Sequence, residues 1–431
     1  MPFIKTDKAI EDIEYMVSKF EKIHYNPYFK KSPSDFEAFK LKSYSSWKID
    51  SIPLKEFIAT GMKLSALLSG GHSSMDWQNP KIMPLIASYH YIPFTGKLSA
   101  NGKTFIVTKS IHPQISVGMK ISSINGINII ELFNECASYI GGIETFKNSN
   151  CEKVFPLYLF FNDKLKAPYS ILCETKEVIE TPGLSINELI PFINNNYALK
   201  ENYSFEIMDN EVGLISYNSC TGYKEFKQFL KTTFKEIKKK KITSLIIDIR
   251  ENLGGNSDLN DLLLAYITTN PYRQSAGRFW KVSKEAKEAY ASNPVYKENE
   301  GDDFMKEYMN TPNQEIIADF NDTLIYPVSP KNYFNGKTCF LIGPNTFSSA
   351  NFLADAVKTY KISTLIGTAT GEYTNDFGEQ ISFSLKNSEC KIYISSTYDI
   401  GANGDKTIFE PVYPDVEVNS NVLTFAINWV K

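Results

Sequence analysis

The feature that most narrows the fold is the run Leu245-Ile246-Ile247-Asp248-Ile249, apolar at four of its five positions and followed by Gly254-Gly255. A strand apolar on both faces must be covered on both faces, as happens in sheets sandwiched between helices. The flanking sequence supplies such covers. Val212 to Tyr217 reads as a second strand, and Phe226, Leu230, Phe234 and Ile237 recur at intervals of four, four and three, marking one face of a helix. That helix ends in Lys238 to Lys241, a solvated run well placed against the negative end of the helix dipole. Further on come a helix from Leu259 to Ile267, a strand from Thr338 to Ile342, a helix from Ser349 to Tyr360 and a strand from Ser363 to Ile366. Alternating strands and helices predict an α/β fold with a parallel or mixed sheet and right-handed crossovers.

The chain has 431 residues, enough for more than one domain. From Lys8 to about Lys63, apolar residues such as Ile10, Ile13, Met16, Val17 and Phe20 follow helical spacing, so residues 1–85 read as a helical N-terminal region. Residues 86–175 change to short β-like runs: Ser88 to Phe94, Thr104 to Val107, Ile121 to Ile124 and Tyr158 to Phe161, with a turn at Asn125-Gly126 and a short helix from Ile130 to Ile140. Residues 176–431 form the α/β core, interrupted at about 271–335 by a polar, Tyr-rich insertion without strong periodicity, long enough to be a lid.

Composition removes several function classes. Forty-six Lys and Arg against 49 Asp and Glu give a net charge of −3, so no global basic field exists to hold nucleic acid. No apolar stretch reaches the roughly 18 residues of a membrane-spanning helix. Six cysteines occur without a C-x-x-C pair or a neighbouring histidine, which reads as buried apolar packing rather than a metal site. Met1 to Lys5 lacks a basic start followed by an apolar stretch, so the chain reads without a secretory signal, as would one from which a signal had been removed.

Ligands in doubly wound sheets bind beyond the carboxyl ends of the strands, and two segments fall there. In Asp248 to Gly255, the paired glycines could bring backbone N–H groups close to a substrate oxygen, or simply satisfy the dihedrals of a βα turn. In Gly343 to Asn351, Ser348 and Ser349 stand at the start of a helix, where a serine is either a nucleophile beside free amide donors or an ordinary N-cap. A serine nucleophile needs a base. Of His24, His72, His90 and His112, only His72 lies in a glycine-rich loop, after Gly70-Gly71.

Taken together, these segments resemble the tail-specific (C-terminal-processing) serine peptidase family, which includes the tricorn protease core and the retinoid-binding repeats. Asp248 to Gly255 matches D-x-R-x-N-x-G-G, and Thr346 to Asn351 matches T-x-S-x-x-E with Asn351 in place of the glutamate. Gly367 to Gly371 with Phe377-Gly378 looks like G-x-x-T-G…Y-G, Gly118 to Gly126 like the G-x-x-I-x-x-I-N-G of an inserted PDZ-like domain, and Leu68 to His72 like the segment before it. The resemblance implies a PDZ-like domain followed by a crotonase-like core. Members with a Ser–Lys dyad carry their lysine in the segment that here reads Glu372-Tyr373-Thr374-Asn375, and no lysine lies between Ile362 and Leu385. It therefore implies the branch with Ser348 as nucleophile, His72 as base and Glu410 as its orienting acid, with Gly254 or Gly255 and Ser349 as oxyanion donors. It implies a polypeptide substrate, no metal or cofactor, export or a cell-envelope location, and is compatible with a homo-oligomer. The alternative it leaves is an inactive member that binds peptides or apolar ligands.

Overall fold

The computed structural model describes residues 1–194, 201–209, 211–292, 303–320 and 323–431. The chain divides into two compact units: Met1–Ala198 with Lys281–Glu315 and Glu379–Ser396, and Leu199–Trp280 with Ile316–Gly378 and Thr397–Lys431.

The first unit opens with the expected helices, Thr6–Ile23, Pro33–Ser46 and Leu54–Ala66. The first buries Ala9, Ile13, Met16, Phe20 and Ile23, one stripe at intervals of three and four. The second starts with a capping box, Ser32 accepting from the Asp35 N–H while the Asp35 carboxylate accepts from the Ser32 N–H, and has proline in its first turn. The β region is an antiparallel sheet of Phe94–Leu98, Phe105–Ser110, Lys120–Ile124, Tyr169–Cys173 and Val178–Thr181, so it continues past residue 175. Asn125 and Gly126 take φ of 50° and 76°, the two positive values that a two-residue hairpin turn requires. Helices Ile129–Ala137 and Glu144–Tyr158 cover this sheet, with Phe94, Phe105, Phe133 and Phe155 in one buried cluster.

Of the strands expected here, Tyr158 to Phe161 is absent and Ser88 to Phe94 is displaced, a strand beginning only at Phe94. Tyr158 to Phe161 is the end of a helix followed by a 3₁₀ turn, and Ser88 ends the helix Met83–Ser88. Short, continuous apolar runs carry no period that separates a strand from a buried helical turn, and the burial of Cys151 and Phe155 at helical spacing decides the first case.

The second unit holds a six-stranded sheet in the order Tyr203–Asp209, Val212–Tyr217, Ser244–Asp248, Lys337–Ile342, Thr364–Gly367, Val416–Glu417. The first pair is antiparallel and the others parallel. Alternation along each strand sorts its side chains. Ile215, Tyr217, Leu245, Ile247, Phe340, Ile342 and Leu365 pack on one face with helices Tyr223–Lys240, Asp258–Leu264 and Ser349–Thr359. Val212, Leu214, Ile246, Cys339, Leu341 and Ile366 pack on the other with Ala426 and Val430 of the helix Val422–Val430. All six cysteines are free and buried.

The segment read as an irregular insertion carries regular structure among its described residues: strand Ser275–Lys281, helices Lys284–Ser292 and Asp303–Asn310, and strand Ile316–Phe320. Residues Ser275 to Trp280 pair antiparallel with Thr397 to Gly401, a long-range partner that no local periodicity reveals.

His24 closes the first helix and is fully buried. Burial, reinforced by the Lys281 ammonium, drives its pKa down to about 3. An unfolded chain would protonate it near about 6.5. The stability it confers as a neutral group is therefore complete above about pH 6.5 and is lost as pH falls toward 3, because only the unfolded state takes up the proton. The thermal midpoint should decline across that window, and a His24→Asn variant should show a shallower decline; an unchanged slope would contradict this.

Candidate active site

Beyond Asp248 the chain turns sharply, and the turn is stitched by one buried side chain. Asn252 is fully buried; its Oδ1 accepts the Gly254 N–H at 2.9 Å, its Nδ2 donates to the Tyr217 carbonyl at 3.0 Å, and its carbonyl accepts the Phe347 N–H at 3.0 Å. Asp248 holds Arg250 in a two-point ion pair, with Oδ1 to Nε at 2.9 Å and Oδ2 to Nη2 at 2.6 Å. Gly254 and Gly255 have φ of 96° and 132°. A Cβ on Gly254 would lie 2.6 Å from the Ser348 Cβ, and one on Gly255 would strike the Cys220 carbonyl. Both glycines are thus required by dihedral and by close approach.

The facing turn leads from strand Lys337–Ile342 to helix Ser349–Thr359. Buried Thr346 anchors it, its hydroxyl donating to the Ile249 carbonyl at 2.9 Å and accepting the Gly343 N–H at 3.1 Å. Ser348 takes φ 54° and ψ −127°, a conformation that costs a non-glycine residue about 1 to 3 kcal/mol and persists only where the surroundings impose it. Its side chain makes no capping hydrogen bond to the helix it precedes. The N-cap role therefore does not account for this serine. Ser349 differs: it is nearly fully buried and its hydroxyl donates to the Gly255 carbonyl at 2.6 Å.

Residues 211–418 match the family model described as Peptidase family S41. This segment is a peptidase family S41 domain. Among solved structures, the whole chain resembles a CPAF variant with one serine changed to alanine, with TM-score 0.67 and 12% identity over 97% of this chain and 94% of that one. It also resembles mature CPAF complexed with lactacystin, at TM-score 0.63 and 12% identity over 96% and 94%, and mature CPAF, at TM-score 0.61 and 13% identity over 96% and 92%. At such identities the likeness is one of fold. No curated protein sequence matches the chain.

Within the S41 domain, the two turns bring Ser348, Ser349, Gly254 and Gly255 into contact. The Gly254 N–H is engaged by Asn252, and the Ser348 N–H donates to Glu372 Oε2 at 2.5 Å. Of the candidate oxyanion donors this leaves the N–H groups of Gly255 and Ser349, which donate to no described residue. Glu410 is exposed; its carbonyl accepts the Thr374 N–H at 2.9 Å, and Pro411 bridges to Tyr373. Among the described residues, no group of His, Cys, Asp and Glu is arranged to hold a metal, and no helix is long and apolar enough to cross a membrane.

His72 belongs to the first unit, outside the matched segment. It is half-buried in a turn, its carbonyl accepts Gln380 Nε2 at 2.5 Å, and the next residues enter strand Ser74–Met75, which pairs with Ile392 and Tyr393. Gly141 packs so closely on this loop that a Cβ there would lie 2.7 Å from the Gly70 carbonyl oxygen.

Sequence reasoning does not single out Glu372, which stands in a segment notable there only for its lack of lysine, or Asn260. Asn260 sits on the apolar face of helix Asp258–Leu264, where it donates to Gln274 Oε1 at 2.7 Å and to the Ser349 carbonyl at 2.8 Å. A polar residue between Leu259 and Leu263 on a buried face was the available signal.

Gly254→Ala should push Ser348 out of its conformation. Reaction with a fluorophosphonate should then fall on the order of a hundredfold, the usual consequence of misplacing a reacting group by about an ångström, while circular dichroism stays native. A variant that reacts at the parent rate would contradict the steric argument.

Proposed function

We propose that the chain is a serine endopeptidase acting on polypeptide substrates. The observation that carries this reading is the state of Ser348: a serine in a conformation serines avoid, at the positive end of an 11-residue helix, with its hydroxyl not used to cap that helix. In the proposed mechanism, Ser348 Oγ attacks the scissile carbonyl carbon while its proton passes to His72 Nε2. The tetrahedral oxyanion is held by the N–H groups of Gly255 and Ser349, each donor typically worth about 3 kcal/mol. As the C–N bond breaks, His72 returns the proton to the leaving amine, and water then hydrolyses the acyl-enzyme by the same route. Glu410 is read as the group that orients His72 and stabilises its cation. The β region of the first unit is read as a PDZ-like peptide-binding module, on the strength of Gly118 to Gly126.

Two measurements test this. Ser348→Ala should abolish peptide hydrolysis with little change in thermal midpoint, whereas Ser349→Ala should retain hydrolysis at a stability loss of about 1 kcal/mol for its buried hydrogen bond. Full activity in Ser348→Ala would overturn the assignment, and absence of hydrolysis and probe labelling in the parent would favour a ligand-binding protein. With His72 as base, kcat/KM should rise along one acidic limb within about one unit of pH 6.5. His72→Gln should remove that limb; a limb near about pH 9 to 10 that survived it would indicate a lysine base instead.

A further inference from the structure

Glu372 places a buried carboxylate where the chemistry above assigns it no role. It is only 4% exposed, and its Oε2 accepts the Ser348 N–H. Its backbone is pinned on both sides. The Gly371 N–H donates to the Thr346 carbonyl at 3.1 Å, the Glu372 carbonyl accepts the Thr370 hydroxyl at 3.3 Å, the Tyr373 carbonyl accepts Asn351 Nδ2 at 2.8 Å, and the Thr374 N–H donates to the Glu410 carbonyl at 2.9 Å. A carboxylate presented from such a frame has little freedom to turn away.

The consequence lies in the two peptide planes that flank the Ser348 Cα. The plane before it ends in the N–H held by Glu372, and the plane after it carries the carbonyl held by the Phe352 N–H at 3.0 Å. With both planes tethered, φ and ψ are set, and with them the direction of the Cα–Cβ bond. The competing state is the ordinary one for serine at this position, an extended N-cap whose hydroxyl accepts an N–H of the first helical turn and is thereby lost as a nucleophile. We propose that Glu372 is a positioning residue that holds Ser348 out of this capping state and keeps its hydroxyl available. The inference rests on the reading of Ser348 as the nucleophile. A hydrogen bond to an ionised acceptor is about twice as strong as a neutral one, which suits a tether working against local strain.

The test compares the full-length parent with Glu372→Ala and Glu372→Gln, measuring fluorophosphonate reaction rate, peptide kcat and KM, and the Ser348 amide proton shift in serine-selective ¹⁵N spectra assigned with Ser348→Ala. Glu372→Ala should lower reaction rate and kcat on the order of a hundredfold with KM little changed, and should move the Ser348 amide proton upfield. Glu372→Gln retains an acceptor oxygen and should restore both rates to within about tenfold of the parent, the amide proton staying downfield. A folded Glu372→Ala protein that reacts at the parent rate, or whose Ser348 amide proton does not move, overturns the proposal. Should Glu372→Ala fail to fold, Glu372→Gln decides alone: rates as low as those of Ser348→Ala overturn it. If the parent itself does not react, the proposed function fails, and an unmoved amide proton in folded Glu372→Ala would separately overturn the tether.

Discussion

The candidate site depends on one close approach. Strands Ser244–Asp248 and Lys337–Ile342 are parallel neighbours, with Ser244 opposite Lys337 and Asp248 opposite Leu341, so the turns that follow them leave the sheet side by side. At Gly254 these turns press together until no Cβ would fit against the Ser348 Cβ. Strand register brings the turns level, glycine lets them touch, and the contact denies Ser348 the relaxed geometry its neighbours in sequence would allow.

Such a contact needs support, and the support is polar and buried. Asn252 ties the first turn to strand Val212–Tyr217 and to Phe347, Thr346 ties the second turn back to Ile249, and Asn260 links the Ser349 carbonyl to Gln274. Buried polar groups of this kind are tolerated only when their bonds are made, and a network with its bonds made holds one geometry. The helix face of the sheet, with Ile247, Phe340 and Ile342 fully buried, supplies the rigid floor. Hydrophobic burial sets where the strands lie, and hydrogen bonds set how their ends are turned.

Much of this was legible in the sequence because it is local. The strand Ser244–Asp248, the helix Tyr223–Lys240 and the helix Ser349–Thr359 follow from period and burial pattern, with boundaries shifted by a residue or two. The six-residue segment around Ser348 marked the serine but left both nucleophile and N-cap open, since dihedral angles are not written in residue type. Long-range pairing was not legible: strand Ser275–Lys281 looked irregular because its partner lies more than a hundred residues away in Lys391–Gly401. Glu372 was invisible for a related reason. An acidic residue after a glycine reads as surface, and only the fold reveals that it is buried against a backbone amide.

The proposed reactive group of the chain is the strained serine beside Gly254. The most direct measurement is to treat the native full-length protein with a fluorophosphonate, digest it and locate the adduct by tandem mass spectrometry. A single adduct on Ser348, absent when the protein is unfolded before treatment, is the expected result. An adduct on Ser349 or elsewhere, or equal labelling of the unfolded chain, would contradict it.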